Sequence, residues 1–352
     1  MNILELIQEI KPVDSSYSEK IKNKLDNLTK PLGSLGVLED FVIKLGNIQN
    51  TELPNIDKKR VYVFAGDHGI AAEGVSAYPP SVTPQMVLNF INGGAAINVL
   101  ARHFDIEIKV VDVGVNFDFN NNVKIINKKI ASGTKNFLYE SAMTKDQAIA
   151  ALLIGFELAQ QAKEDGVGII VAGDMGIGNT TPSSAITSLI CDLEIEDVTG
   201  NGTGISSDRL KNKIKIIKNA IKARKVDKND PIDILQKVGG FEIGAIAGLA
   251  LGCAYYKLAL VADGFISTTG IALANKINPI VKQIVFPSHS SVEKGHKALL
   301  KSLDLQPVLN LNMRLGEGTG GVLAISLIEA ALDLYKNMAT FKNAGVDERI
   351  IN

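Results

Sequence analysis

The sequence predicts an α/β fold: a Rossmann-like parallel sheet with helices on both faces, plus a small helical domain built from the two termini. Three observations predict it. From about residue 60 onward, short β-branched runs alternate with helical stretches. The runs are almost continuously apolar, which is the mark of parallel strands buried on both faces. Each run leads into a glycine-rich or polar turn, and ligands of open parallel sheets bind beyond the carboxyl ends of the strands.

The elements follow in order. Ser15–Leu28 and Leu35–Ile48 carry the three-to-four-residue apolar spacing of amphipathic helices. TKPLGSLG lies between them as a loop, broken by Pro31, Gly33 and Gly36. Strands are predicted over Val61–Ala65, Ile108–Val113, Gly168–Ala172, Leu258–Ala262 and Lys282–Phe286. The helices between them are Pro84–Asn92, Ala95–His103, Lys145–Glu164, Ser183–Cys191, Asp208–Ala223, Ile243–Tyr256 and Val292–Leu300, with a last one over about Val322–Met338. Asn116–Thr134, rich in Asn and Lys, reads as an exposed excursion. Residues 1–55 and 325–352 are expected to form the small helical domain and residues 56–324 the large one, since chain termini often lie close together.

Composition narrows the function. Of 352 residues, 46% are hydrophobic and 21% charged, enough for a large buried core. The formal net charge of -1 gives no footprint for nucleic acid or for an anionic membrane surface. Cys191 and Cys253 lie far apart in apolar helical patterns, without metal or redox spacing, and read as two buried structural thiols. MNILELIQEIKPVD lacks the basic start and long apolar stretch of a signal peptide. Ile243–Ala262 is the most apolar segment and reads as a buried helix running into a strand, not a membrane span. The expected compartment is the cytoplasm.

The chemistry collects behind the strands. GDMGIGNTT (173–181) offers close backbone approach at Gly176 and Gly178 and polar groups at Asn179, Thr180 and Thr181. Pro182 follows at the start of a helix whose first N–H groups favour an anion. Two readings stand side by side: an anion site, or a tight strand–helix turn capped by Thr181. GNGTGISSD (200–208) is a second loop of the same kind, with Ser206 or Ser207 able to cap the next helix and Lys213 one turn further on. Asp67 and His68 of GDHG suit capping or substrate orientation better than metal binding. His289 and His296 are candidate bases or hydrogen-bonded structural histidines. Glu317 stands between Gly316 and Gly318, with more glycine at 320 and 321, and small neighbours leave room for a ligand beside a carboxylate. The inventory favours transfer of a phosphate-bearing group with a carboxylate base.

Across nearly its whole length the chain resembles the nicotinate-nucleotide–dimethylbenzimidazole phosphoribosyltransferases of the cobalamin lower-ligand pathway. The resemblance is carried, in order, by TKPLGSLG (29–36), FAGDHGI (64–70), EGVSAYPPSVTPQMV (73–87), NGGAAINVLA (92–101), DMGIGNTTPSSA (174–185), GNGTG (200–204), GGFEIGAIAG (239–248), DGFIS (263–267) and MRLGEGTG (313–320). It implies a homodimer and the reaction of nicotinate mononucleotide with 5,6-dimethylbenzimidazole to give α-ribazole 5′-phosphate and nicotinate. It implies Glu317 as the catalytic base. It places the acceptor base near Ser81, Gln85, Ser291 and Leu315, and the phosphate and ribose near Gly176, Ile177, Gly178, Asn179, Thr180, Thr181, Gly202, Thr203 and Gly204. No metal or other cofactor is demanded, because the leaving group is not pyrophosphate. The family commonly carries glutamate where Asp174 stands and often arginine where Asn201 stands. Asp174 is the second carboxylate assigned to the catalytic centre.

Overall fold

The computed structural model describes residues 3–120 and 124–347. Residues 121–123 of the expected excursion, and positions 1, 2 and 348–352 of the expected small domain, lie outside the described residues.

Six parallel strands form one sheet: β1 (Lys59–Gly66), β2 (Glu107–Gly114), β3 (Ile126–Asn127), β4 (Ile169–Met175), β5 (Ala259–Ala262) and β6 (Val285–Phe286). Their order is β3-β2-β1-β4-β5-β6. The chain leaves β1 toward β2 on one side and returns to β4 on the other, so β1 and β4 flank the switch point where such sheets open a crevice. Along the sheet the side chains of Val61 to Ala65 and Ile169 to Ala172 are fully buried, as a strand covered on both faces requires.

The first helices are α1 (Ile3–Gln8), α2 (Ser18–Asp26), α3 (Val37–Gln49), α4 (Val82–Ile91), α5 (Ala96–His103), α6 (Lys145–Glu164), α7 (Thr180–Cys191) and the single turn α8 (Ile195–Val198). After them come α9 (Ser207–Arg224), α10 (Pro231–Val238), α11 (Phe241–Tyr256), α12 (Phe265–Ile277), α13 (Lys294–Ser302), α14 (Thr319–Asn337) and α15 (Phe341–Ala344).

Two layers cover the sheet. The Tyr62 hydroxyl donates to the Leu158 carbonyl of α6 at 3.1 Å, so the even positions of β1 face α6 and α11. Val61 and Val171 face the other way, against Gly318 and Gly321 at the start of α14. In α11 every residue from Phe241 to Ala254 is buried. It meets α6 backbone to backbone: a side chain at Gly155 would run into the Ala245 carbonyl, and one at Gly248 into the Leu152 carbonyl. The termini meet as well. Phe341 N–H donates to the Asn27 carbonyl and Thr29 N–H to that of Ala339, while the Tyr335 hydroxyl of α14 reaches the Glu52 carbonyl.

Several elements differ from their sequence expectation. The strand expected over Lys282–Phe286 keeps only its last two residues. Pro279–Ile284 is a 3-10 turn, started by the Asn278 side chain accepting the Ile280 N–H. The expected excursion returns to the sheet as β3, because Ile125, Ile126 and Ile130 pack against the core. α4 and α7 start two or three residues earlier than expected; Pro84 and Pro182 then sit in first turns, where a missing N–H costs no hydrogen bond. Cys253 is buried, but Cys191 is only partly so, at the end of α7.

Candidate active site

A cleft of about 470 Å³ opens beyond the carboxyl ends of β4, β5 and β6. Asp174 lies at the end of β4, Asp263 follows β5, and His289 and Ser291 follow β6. The loop before α14 closes one side with Arg314, Leu315 and Gly316.

Glu317 sits in that loop, 5% exposed. Its φ is 63°, and Gly316 and Gly318 on either side have φ of 84° and 92°. Three left-handed residues in a row make a sharp turn, and a non-glycine residue adopts that conformation at a cost of roughly 1–2 kcal/mol. The turn is held from both ends. The Glu317 carboxylate accepts the Ile97 N–H in the first turn of α5 at 3.2 Å. Behind it, the two oxygens of Asp263 accept the N–H groups of Gly318 at 3.0 Å and Gly321 at 2.9 Å. Asp263 thus supplies the carboxylate that the amino end of α14 needs. Burial pushes the Glu317 pKa above the usual glutamate value; the Ile97 N–H pulls it back and the charge of Asp263 adds to the rise.

Asp174 is 6% exposed and lines the cleft. One oxygen accepts the Asn179 side-chain amide at 2.9 Å, while the other is buried without a hydrogen-bond partner. Burial, with Asp263, Glu242 and Glu317 adding negative charge nearby, pushes its pKa up to about 8. At neutral pH it is therefore held largely as the protonated acid. Gly316 passes close over it: a side chain there would come within 3.2 Å of the carboxyl.

The two glycine loops meet. Gly178, Gly202 and Gly204 all take positive φ, the region open to glycine. Lys213 is fully buried, and its ammonium donates to Thr180 Oγ1 at 2.6 Å. Thr203 Oγ1 lies 3.1 Å from Ser76 Oγ and accepts the Ala77 N–H at 2.8 Å, tying the second loop to the segment before α4. Asn179, Thr180, Gly202 and Thr203 line the cleft, as do Ser291 and Leu315. The remaining expected residues, Gly178, Lys213 and Glu317 among them, do not. Ser81 and Gln85 are exposed on α4 and its cap. Gly176 packs against the Gly66 carbonyl and the His68 ring. The Ile177 N–H is taken by Thr83 Oγ1 at 3.1 Å, and Thr181 is fully buried behind the lip. Gly204 has open space where a side chain would begin.

The histidines separate by environment. His296 accepts the Ser291 N–H on Nδ1 at 3.0 Å, so its proton sits on Nε2, facing Thr268 Oγ1 at 3.0 Å. Burial pulls its pKa down to about 3, which leaves a neutral structural ring. His68 lies beneath Gly176 with Nε2 2.8 Å from Glu242 Oε1, an ion-pair distance without hydrogen-bond alignment. Burial opposes the charge on His68, but Glu242 outweighs it and the net shift is upward. Asp67 instead ties down a loop, accepting the Asn116 N–H at 2.8 Å. His289 is buried in the cleft wall, with Nδ1 3.9 Å from Asp263.

Three acidic residues of the site escape sequence reasoning: Asp263, Glu242 and Glu293. Asp263 does carry a signal as the first residue after a strand, the usual place for a site residue. Glu242 and Glu293 stand near glycines without any spacing to mark them.

The comparisons with known proteins agree with one another. The Phosphoribosyltransferase family profile matches residues 10–346. A relative from Geotalea uraniireducens, named nicotinate-nucleotide–dimethylbenzimidazole phosphoribosyltransferase, is 51% identical over 99% of this chain and 99% of its own. One of the same name from Clostridium acetobutylicum is 47% identical over 99% and 98%. The crystal structure of a protein of that name from Thermus thermophilus superposes with a TM-score of 0.90 at 40% identity, covering 96% of this chain and 100% of that one. With its six-stranded parallel sheet, its cleft at the strand ends and likeness along its full length, the chain belongs to the nicotinate-nucleotide–dimethylbenzimidazole phosphoribosyltransferase family.

Proposed function

We propose that this enzyme transfers the 5-phosphoribosyl group of nicotinate mononucleotide to 5,6-dimethylbenzimidazole or a related base. The products are α-ribazole 5′-phosphate and nicotinate, in the assembly of the cobalamin lower ligand. The full-length relatives named for this reaction support the substrates. The observation that carries the mechanism is Glu317, a carboxylate made more basic by burial and fixed at the apex of a strained turn beside the cleft.

The lone pair of a benzimidazole nitrogen attacks the anomeric carbon from the face opposite nicotinate. The new N–C bond forms, the old one breaks, and the configuration inverts. Nicotinate leaves with the bonding pair on its pyridine nitrogen, so the leaving group needs no proton. The positive charge now on the benzimidazole makes its other N–H acidic, and Glu317 accepts that proton. Asp174, protonated at neutral pH, does not compete as a base. Thr180, Gly202, Thr203 and Lys213 seat the phosphate, and Leu315 and Ser291 face the acceptor base. We also propose a homodimer working in the cytoplasm.

The test is incubation with nicotinate mononucleotide, with and without 5,6-dimethylbenzimidazole, followed by chromatography with mass detection. Nicotinate and ribazole phosphate are expected only when the acceptor base is present. Nicotinate released without an acceptor would make the enzyme a hydrolase and overturn the proposal.

A further inference from the structure

In the cleft lies a charged group that the transfer step leaves idle. Glu293 precedes α13 and lines the same cleft, 9% exposed. Its Oε2 is buried without a hydrogen-bond partner. It rests on Gly200, where any side chain would collide with that oxygen. Burial pushes the Glu293 carboxyl above the usual glutamate value, and the charges of Lys213 and Arg314 pull it back. Lys213 Nζ reaches the same loop, 3.4 Å from where a Gly202 side chain would begin. Arg314 Nη1 in turn donates to the Gly202 carbonyl at 3.3 Å. A carboxylate set among the donors of a phosphate seat lowers the attraction for phosphate, so its presence calls for a separate reason.

The reason lies in Lys213. Its stem and ammonium are fully enclosed, with Thr180 Oγ1 as hydrogen-bond acceptor. A buried ammonium with no counter-ion gives up its proton. We propose that Glu293 is a positioning residue of the phosphate seat: it keeps Lys213 charged while Thr180 holds the ammonium in place in the empty cleft, then shares that cation with the incoming phosphoryl group. The charged groups in play are Glu293 against Lys213, and Lys213 with Arg314 against Glu293. Burial already pulls Lys213 down to about 8, and Glu293 is the group that opposes the fall. Without it the lysine would be largely neutral at mildly alkaline pH. The inference rests on the reading of the two glycine loops as the phosphate seat.

The test uses sulfate, whose charge does not titrate between pH 6 and 8.5, as a probe of the seat in the full-length protein. Binding is measured by calorimetry for wild type and Glu293→Gln, and KM for nicotinate mononucleotide is followed over the same range. At pH 6 the variant is expected to bind sulfate as well as wild type or several-fold tighter, because one repelling charge is gone. At pH 8.5 it is expected to bind roughly tenfold more weakly, and the alkaline rise in KM moves down by about one pH unit. KM carries most of the change, with kcat falling by a smaller factor. Equal weakening at both pH values, with the alkaline limb unmoved, is what a merely structural role gives, and it overturns the proposal. If wild type itself binds no sulfate at pH 6, the phosphate-seat reading fails and takes this one with it. Should the Gln variant not fold, Glu293→Asp keeps the charge on a shorter arm. Its limb is expected to shift the same way by less, and an unmoved limb there refutes the proposal.

Discussion

Replacing Glu317 with glutamine isolates its proton chemistry from its structural duties. The amide has the same shape, and its oxygen can still accept the Ile97 N–H that the carboxylate accepts at 3.2 Å. The left-handed backbone at φ 63° is imposed on glutamine as on glutamate, so that strain cancels between the two proteins. What is lost is a base. General-base catalysis contributes about 10²–10⁴-fold, or roughly 3–5 kcal/mol of barrier. The proton on the alkylated benzimidazole is already acidic, which puts the expectation at the low end, about a hundredfold in kcat. Stability should change by less than about 1 kcal/mol, a Tm shift of at most about 3 °C. Wild-type kcat should also fall on acidification through a pKa above the usual glutamate value, because burial holds the proton on Glu317 more tightly. The variant should lose that limb. The assay is the initial rate of nicotinate release with saturating acceptor from pH 5 to 9, beside a thermal melt. A folded variant that keeps kcat within threefold, with the acid limb intact, would refute Glu317 as the base.

Three further outcomes follow from the same geometry. In the folded protein Asp174 holds its proton up to about pH 8, whereas the unfolded chain releases it near 3.8. The stability this brings is whole below 3.8 and is lost as pH rises from there through about 8. Asp174→Asn should therefore raise Tm by more at pH 9 than at pH 5, and equal gains at both would disprove the shift. Asp263→Asn keeps one acceptor but drops the charge that holds Gly318 and Gly321. A fall in kcat of roughly tenfold to a hundredfold is expected, with KM for nicotinate mononucleotide moving less, and a variant with normal kcat would show that the Glu317 turn stands without it. Gly248→Ala would push a methyl into the Leu152 carbonyl of α6. It should cost roughly 1–3 kcal/mol by denaturant titration, and a neutral result would mean the two helices are free to separate.

The strands and the polar turns that follow them are legible in the sequence for one reason: both depend on local pattern. Val61–Ala65 and Gly168–Ala172 are apolar without interruption because both faces are covered, and α6 announces its start with Thr144 and Gln147 in a capping box. Hidden elements break those patterns. α12 is buried over its first ten residues, from Phe265 to Ala274, so no polar face marks it as a helix. α10 does carry a signal, Asp230 capping with Pro231 behind it, but it is short and sits in a polar stretch that reads as loop. β3 is two residues long and takes its identity from pairing with β2. At the site, the turns after the strands are readable because glycine and polar residues cluster there. The places of Asp263 and Glu293 are not, because they depend on groups far along the chain: Gly318 and Gly321 for one, Gly200 for the other.

The backbone-to-backbone seam between α6 and α11 also bears on how the chain is made. α6 ends at Glu164 and α11 begins at Phe241, so about eighty residues separate them. During synthesis α6 emerges with Ala151, Leu152, Gly155 and Ala159 uncovered, and the helix that fits them has not yet been made. At 5–20 residues per second, typical of translation, that gap lasts roughly 4–16 seconds. Throughout it a flat, apolar helix face waits for its mate, open to a holding chaperone.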